Sequence, residues 1–411
     1  MNNILSNTRF EGRSLLVFLI SIFPISLLIG SAVINALIII IDLLFLSILI
    51  KEKNFKFFHN KTFYILLILW ASLILNMIIS LDPWSSFSRS IGFVRFLIFI
   101  FAIKFVLNKN EKQDKIIFLT WFLIFGLVSC DVIFEYIFGF NSLGFSNNFS
   151  GRISSFLHDE LKIGNFYLGF FLLSLSFVYY TFKNKYYFFL ALIFFTIVSF
   201  LIGERSNFLR IIPLIIIFFF IVDRKFIFRK ISTLAVISTL VFFIIAQNNY
   251  YKDRFINQTF SSLAKNDYSF THYFKFSIYG AHYNAAYQVF KDYPLFGVGL
   301  KNFRIESGRT KYENKDFRFT EKRQNTHPHQ IHLEFLSELG LFGYSLILII
   351  FYIFLKKSIG IQIKNKNLYH LSGILFLLVF FIPLIPTGSF FTTYGAAIFW
   401  LNFSIIEAFN D

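Results

Sequence analysis

The chain has 411 residues and a formal net charge of +16, and its composition is 56% hydrophobic and 21% aromatic. Its mean hydropathy is +0.63, and apolar runs of about 18 or more residues are long enough to cross a bilayer as helices. These runs exclude a soluble enzyme. The positive charge gives no reason to expect nucleic acid as a partner, because no soluble basic domain exists to bind it.

The apolar runs predict an all-α polytopic membrane protein with about twelve transmembrane helices. The predicted spans lie near residues 15–30, 32–50, 62–80, 89–107, 115–137, 161–182, 186–203, 207–222, 231–246, 331–355, 368–386 and 391–409. One large polar loop separates the ninth and tenth predicted helices. We therefore expect three parts: helices one to nine in residues 1–246, a loop domain in 247–330, and helices ten to twelve in 331–411.

Lysine and arginine are concentrated in alternate short loops. These loops are 51–61, 109–115, 183–185, 224–230 and 356–366. Because positively charged short loops stay in the cytoplasm, we expect both termini to be cytoplasmic and the segment 247–330 to lie outside, in the periplasm of a Gram-negative bacterium. That segment is itself rich in basic residues, which indicates either an anionic partner or a solvated loop beside anionic lipid headgroups.

Three arginines are predicted at this outer face. Arg95 lies a turn or two inside a predicted helix, Arg152 just before another, and Arg205 between two more. Guanidinium groups bind diphosphate oxygens in a bidentate manner, so such a cluster suits a phosphate-bearing ligand. The alternatives are snorkelling to headgroups for Arg95 and ion pairs with carboxylates nearby in the sequence for the other two. Those carboxylates are Asp159, Glu160 and Glu204.

The stretch QNTHPHQIHLEFLSELGLFG, residues 324–343, places His327, His329 and His332 at the predicted outer start of a helix. Three interpretations compete: a zinc site completed by a carboxylate, histidines that stabilise a loop, and a general base at the membrane surface. The last is favoured, because a neutral imidazole titrates in the required range.

These segments resemble the signature of the O-antigen ligase and O-antigen polymerase superfamily. In THPHQIHLEFLSELGLFG, His329 takes the position of the family's histidine, and Gln330 stands where the family usually has asparagine. PLFGVGLKNFR, residues 294–304, resembles the family's Pro-Leu-x-Gly-x-Gly segment. GRISSFLHDELKIGNF, residues 151–166, and GERSNF, residues 203–208, resemble two further family segments.

The resemblance implies a GT-C-like glycosyltransferase of the bacterial inner membrane, with its active site on the periplasmic side. The donor would be a glycan on undecaprenyl diphosphate, and the lipid of the membrane would surround it. The acceptor would be lipid A-core for a ligase, or a second lipid-linked glycan for a polymerase. No metal and no other cofactor is implied. A transporter or flippase for the same lipid-linked glycan is a more distant alternative.

The resemblance also implies roles for individual residues. His329 would take the proton of the acceptor hydroxyl, and Arg205 would stabilise the diphosphate as it leaves. His282 is a candidate because it lies near the position of a family arginine that precedes the PLFGVG segment. The residues expected to bind the diphosphate or the glycan are Arg95, Arg152, His282, Arg304 and His332.

Overall fold

The computed structural model describes residues 2–146, 151–158, 160–222, 227–261 and 269–410. Within these ranges every regular element is a helix, so the prediction of a polytopic helical membrane protein is confirmed. Seven of the described helices are long and apolar enough to cross a membrane. An eighth span results if the pair Gly12–Ser21 and Phe23–Ile29, which meet at 44°, is counted as one.

The helices are numbered here in chain order. They are α1 (Asn2–Ser21), α2 (Phe23–Ile29), α3 (Ser31–Glu52), α4 (Lys61–Ile78), α5 (Pro83–Gly92), α6 (Val94–Val106), α7 (Glu111–Phe138), α8 (Ile163–Thr181), α9 (Tyr186–Leu201), α10 (Arg205–Val222), α11 (Ile227–Gln247), α12 (Ile278–Asp292), α13 (Ile331–Asn365), α14 (Leu368–Phe380) and α15 (Thr393–Ala408). The shorter α- and π-helical segments are Asn249–Lys252, the π-helical Asp253–Ser261, Phe270–Lys275 and Phe303–Glu306, and the 3₁₀ helices are Phe55–Phe58, Ser155–Leu157, Thr310–Tyr312 and Thr320–Lys322.

Every predicted span coincides with a helix or a helix pair, but several are shorter or broken. The predicted span 89–107 is divided at Phe93 between α5 and α6. The first of these helices begins before the predicted span, where the Asp82 carboxylate caps it and Pro83 lies in its first turn. The predicted span 368–386 ends at Phe380, shortly before two prolines that cannot continue a helix. These breaks, together with the shortness of α9 and α15 at 16 residues each, are why seven or eight helices are long enough to span where the apolar runs predict about twelve.

The centre of the bundle is α15, which packs against α3, α6, α8 and α14. Every residue from 396 to 408 is buried. Near its end Glu407 accepts hydrogen bonds from Lys104 at 2.8 Å, Asn60 at 2.8 Å and Thr62 at 3.0 Å. These bonds offset the cost of removing the two charges from water.

The helix α13 is broken at Gly340, whose φ of 66° and ψ of −170° are not helical. The segment 294–299 lies against this break. Four backbone hydrogen bonds of 2.8–3.0 Å join the two, including one from Leu341 to Pro294. The PLFGVG segment and the ELGLFG segment are therefore one packed unit, and their glycines permit the close approach of two backbones.

A second contact fixes this unit to the α4–α5 corner. The Asn76 side chain of α4 donates to the carbonyls of Phe296 at 2.7 Å and Glu338 at 3.2 Å, and Leu81 donates from its backbone to the carbonyl of Val298 at 3.1 Å. The loop that follows residue 299 is thereby held beside α5.

The segment that carries Arg152 is held by two acids of α7. Ser155 donates from its hydroxyl to Asp131 at 2.5 Å and from its backbone to Glu135 at 2.6 Å. Ile153 donates to the carbonyl of Ile202 at 3.1 Å. Arg152 is therefore placed next to the turn between α9 and α10.

Candidate functional site

Three histidine rings lie together in front of the N-terminus of α13. The ring centroids of His327 and His329 are 4.1 Å apart, and those of His282 and His329 are 5.2 Å apart with planes inclined by 26°. The ring of Tyr279 is 5.7 Å from that of His329. His282 and Tyr279 belong to α12, so this histidine cluster joins the long loop to the start of a membrane helix.

The backbone at His329 is left-handed, with a φ of 59°, a conformation that residues other than glycine rarely adopt. Its carbonyl accepts a hydrogen bond of 2.8 Å from Thr387. The next residue, Gln330, caps α13 by accepting from the backbone of Leu333 at 2.7 Å. The loop thus turns sharply at His329, and local strain of this kind is concentrated at functional sites.

The hydrogen bonds indicate which ring nitrogens are basic. Nε2 of His282 lies 3.0 Å from the carbonyl of Lys322, which can only accept, so His282 donates from that nitrogen. Oδ1 of Asn325 accepts from the backbone of Thr326 at 2.6 Å, which turns its amide NH₂ towards both rings, 3.2 Å from Nε2 of His282 and 3.4 Å from Nε2 of His329. Since Nε2 of His282 already donates to Lys322 and cannot accept, the Asn325 NH₂ donates to Nε2 of His329, which therefore has its proton on Nδ1 in the neutral form.

Burial keeps these histidines neutral. It lowers the pKa of His329 to about 3, an effect that His327 and His282 reinforce. It lowers the pKa of His327 to about 4 and that of His282 below its ordinary value. A neutral imidazole is the form that can accept a proton.

His332 does not join the cluster. Its Nε2 donates to the carbonyl of Phe381 at 2.9 Å, so Nδ1 accepts from the Tyr344 hydroxyl at 3.0 Å. Nε2 thus holds α13 to the residue that follows α14, and Nδ1 links the two halves of α13 across the break at Gly340. A zinc site shared by His327, His329 and His332 does not fit this arrangement, and among the described residues no group of three or more histidines, cysteines or acids is placed to hold a metal ion.

A cavity of about 130 Å³ lies beside His327, and we name it the Arg210 cavity. Its lining comprises Lys162, Asn165, Leu168, Arg210, His327, Phe376, Phe380, Thr387, Gly388, Ser389, Thr392, Tyr394, Gly395 and Ile398. Arg210 donates to the carbonyls of Ile385 at 3.2 Å and Pro386 at 2.9 Å, and its buried Nε has no partner among the described residues. The cavity thus combines two cations with an apolar wall.

A basic group surrounds the turn between α9 and α10. Arg254 donates from Nε to the carbonyl of Gly203 at 2.5 Å, and Arg205 donates to the carbonyl of Arg254 at 3.2 Å. Burial, followed by repulsion from Arg152 and Arg205, lowers the pKa of Arg254 to about 10. We name Arg152, Arg205 and Arg254 the arginine triad.

Glu204 is the carboxylate nearest to the arginine triad. Desolvation raises the pKa of Glu204. A backbone hydrogen bond from Gly164 at 3.2 Å and attraction to Arg152 and Arg254 oppose that rise. Glu204 also interacts electrostatically with Arg210, so the triad and the Arg210 cavity are neighbours. Of the other acids suggested for Arg152, Glu160 pairs with Lys162 at 2.6 Å, and Asp159 lies outside the described residues.

A second, smaller cavity of about 40 Å³ lies on the other side of His327, and we name it the Arg304 cavity. Its lining comprises Arg89, Lys301, Arg304, Thr326, His327, Glu338, Ser389, Phe391 and Thr392. His327, Ser389 and Thr392 belong to both cavities. The histidine cluster therefore stands between two cationic recesses.

The structure brings together most, but not all, of the residues suggested by sequence. His282 and His329 form the cluster, Arg304 lines the smaller cavity, and Arg152 and Arg205 lie in the neighbouring triad. His332 holds helices together. Arg95 lines neither cavity: it donates to the carbonyl of Gly92 at 2.6 Å, stacks on Phe96 and interacts with Asp42.

Sequence reasoning missed several cations at this site: Arg89, Lys162, Arg210, Arg254 and Lys301. For Arg210 a signal existed, since a charge inside an apolar span usually faces a cavity. Arg254 and Lys301 are two of many lysines and arginines in the long loop, so the sequence could not single them out. Only the folded backbone shows that these two reach the site.

Comparison with known proteins adds one finding. Residues 188–348 match the family model described as O-Antigen ligase. The match includes Arg205, Arg210, Arg254, the histidine cluster and the packed unit at Gly340. No curated protein matches the chain.

Proposed function

Because the chain is a member of the O-antigen ligase and polymerase superfamily, with the family's domain in residues 188–348, we propose that it transfers a glycan from undecaprenyl diphosphate to a lipid A-core sugar hydroxyl. The reaction takes place on the periplasmic face of the inner membrane. The observation that carries this proposal is the neutral histidine cluster between cationic recesses at the start of a membrane helix.

The Arg210 cavity suits the donor lipid. Its apolar wall, formed by Leu168, Phe376, Phe380 and Ile398, matches the first isoprene units of a polyprenyl chain. Arg210, Lys162 and the adjoining arginine triad match a diphosphate, which guanidinium forks bind with good geometry.

In the transfer step, Nε2 of His329 takes the proton of the acceptor hydroxyl as the oxygen attacks the anomeric carbon of the donor glycan. The bond between that carbon and the diphosphate oxygen breaks, and the electron pair leaves with the diphosphate. The triad and Arg210 stabilise the developing negative charge. This chemistry requires no metal and no other cofactor, since the guanidinium groups supply the positive charge.

The low pKa of His329, about 3 in the unliganded protein, fits a base that is activated by its substrate. A bound diphosphate brings negative charge close to the cluster, which favours the imidazolium and raises the pKa of His329. Proton transfer is therefore favoured only when the donor is in place.

The test is a transfer assay with the purified protein in proteoliposomes, without any ion gradient. The donor is the undecaprenyl-diphosphate-linked glycan, and the acceptors, offered separately, are lipid A-core and a second lipid-linked glycan. A glycosylated lipid A-core supports the ligase assignment. Elongation of the lipid-linked glycan alone replaces it with a polymerase, and movement of the donor across the bilayer without transfer overturns the enzyme assignment.

A further inference from the structure

The Arg304 cavity has a cationic wall that the transfer step described above does not use. Its three cations come from two separate parts of the chain: Arg89 from α5, and Lys301 and Arg304 from the loop and short helix after the PLFGVG segment. Burial, with repulsion from Arg89 and Arg304, lowers the pKa of Lys301. Like charges held this close favour an anion between them.

The cations are held in place before any ligand arrives. The Asn302 side chain donates to Ser86 of α5 at 2.9 Å, and Lys301 donates to Ser88 of α5 at 3.3 Å. The Gly299 backbone donates to the carbonyl of Glu338 at 2.9 Å. The loop is thus fixed to both α5 and α13, so binding an anion requires little rearrangement.

The acids nearby do not cancel this charge. Glu338 lines the cavity and interacts electrostatically with all three cations. Glu334 is not part of the lining: it attracts Arg89 from outside the cavity and accepts from the Ser389 hydroxyl and, at 3.0 Å, from the backbone of Phe390. Three cations thus face one lining carboxylate.

The size of the cavity favours a compact anion. Its volume of about 40 Å³ accommodates roughly three water molecules, which is too little for a saccharide ring. It borders the Arg210 cavity through His327, whose buried Nε2 has no hydrogen-bond partner among the described residues. A molecule anchored here by one group would extend towards the histidine cluster.

We infer that the Arg304 cavity is the anchoring point of the acceptor, and that it binds a phosphate group carried by the acceptor saccharide. This inference rests on the proposed function and adds to it the chemical class of the acceptor. The phosphate has two sources: a phosphorylated sugar of lipid A-core, or the diphosphate of a second lipid-linked glycan. In both, the anchored phosphate leaves the sugar hydroxyl free to approach His329.

The experiment compares the wild-type protein with Arg304→Gln, which keeps a long polar side chain at an exposed position. Lys315→Gln, an exposed lysine of the same loop that lines neither cavity, is the matched control. Binding of phosphorylated and dephosphorylated lipid A-core, and of the second lipid-linked glycan, is measured directly in nanodiscs. Transfer to each acceptor is measured in proteoliposomes.

We expect Arg304→Gln to weaken binding of the phosphorylated acceptor about tenfold, the usual effect of losing a hydrogen bond to a charged group, and to raise its KM with kcat and the donor KM unchanged. Dephosphorylated lipid A-core should bind wild-type protein and variant equally weakly. The acceptor whose binding is weakened by Arg304→Gln is the one that carries the anchored phosphate.

Equal binding of phosphorylated and dephosphorylated acceptors by the wild-type protein overturns the inference, even if transfer is normal. Phosphate-dependent binding that requires Arg304, without transfer to any acceptor, supports the anchoring point while contradicting the proposed enzyme function. The two failures are therefore distinguishable.

Discussion

Gly340 and Gly297 approach so closely that a methyl group added to Gly340 would lie 2.5 Å from the backbone nitrogen of Gly297. The contact joins the break in α13 to the PLFGVG segment. Lys301 and Arg304 follow this segment directly in the chain. The close contact between the two glycines therefore helps to fix the positions of these cations in the Arg304 cavity.

Gly340→Ala should destabilise the protein severely. Its φ of 66° with ψ of −170° belongs to a region essentially confined to glycine, and strain there costs about 1–3 kcal/mol before the steric clash is added. Thermal unfolding in detergent should show a lower Tm, and the yield in the membrane should fall. Gly360→Ala is the control, since nothing lies within 4 Å of a methyl group there; a similar fall in both variants would contradict the explanation.

His329→Asn should abolish transfer without affecting folding. Asparagine tolerates the left-handed backbone at this position but cannot act as the base, and losing a general base costs on the order of 10² to 10⁴ in rate. The measurement is the transfer rate in proteoliposomes with Tm as the folding control. His332→Asn should instead lower Tm and spare kcat, because His332 holds Phe381 and Tyr344. Retention of full activity in His329→Asn would remove His329 from its proposed role.

The stability of the protein should decrease as the pH falls from about 7 to about 4. The pKa values of His329 and His327 are about 3 and about 4 in the folded protein, against an ordinary value of 6.5. The unfolded chain therefore binds more protons in this interval, and each histidine contributes at most about 1.4 kcal/mol per pH unit. The double variant His327→Asn/His329→Asn should show a smaller fall in Tm over the same interval. An unchanged pH dependence would mean that these rings are not held neutral by burial.

Arg205→Ala should reduce the transfer rate about 100-fold, the typical effect of removing a group that stabilises developing charge. Arg205→Lys should restore only part of the activity, since lysine keeps the charge and loses the planar fork. Arg318→Ala, an exposed arginine of the long loop, should leave the rate unchanged. If Arg205→Ala were fully active, the arginine would serve only to hold the carbonyl of Arg254.

The long loop should lie in the periplasm. A single cysteine at Lys315, in a Cys130→Ser background, should react in cells with a permeable outer membrane when a membrane-impermeant maleimide is added. A cysteine at Asn365, exposed at the other end of α13, should react only after the inner membrane is broken. The reverse pattern would place the histidine cluster in the cytoplasm and invalidate the use of a periplasmic donor.

The sequence predicted the helical membrane architecture because an apolar segment in lipid must satisfy its polar backbone groups internally, which leaves few structures other than helices. The sequence did not indicate the break in α13. The apolar pattern continues through Gly340, and only the backbone hydrogen bonds from a segment about 40 residues earlier show why the helix stops there.

The histidine cluster shows the same limit for the site. Proximity in the sequence groups His327, His329 and His332, yet His332 turns to Phe381 and its place is taken by His282, which lies more than 40 residues upstream. Helical periodicity predicts which face of a helix a residue lies on. It does not predict which residues of a distant segment pack against that face.

The position of α15 has a consequence for biogenesis. It is the last helix in chain order among those described and also the one at the centre of the bundle. Until it enters the membrane, Lys104 of α6 lacks its 2.8 Å ion pair with Glu407, and the faces of α3, α6, α8 and α14 that pack on α15 stay uncovered. A ribosome that stalls before residue 393 therefore releases a bundle with an open centre, which membrane quality-control proteases would recognise as incomplete.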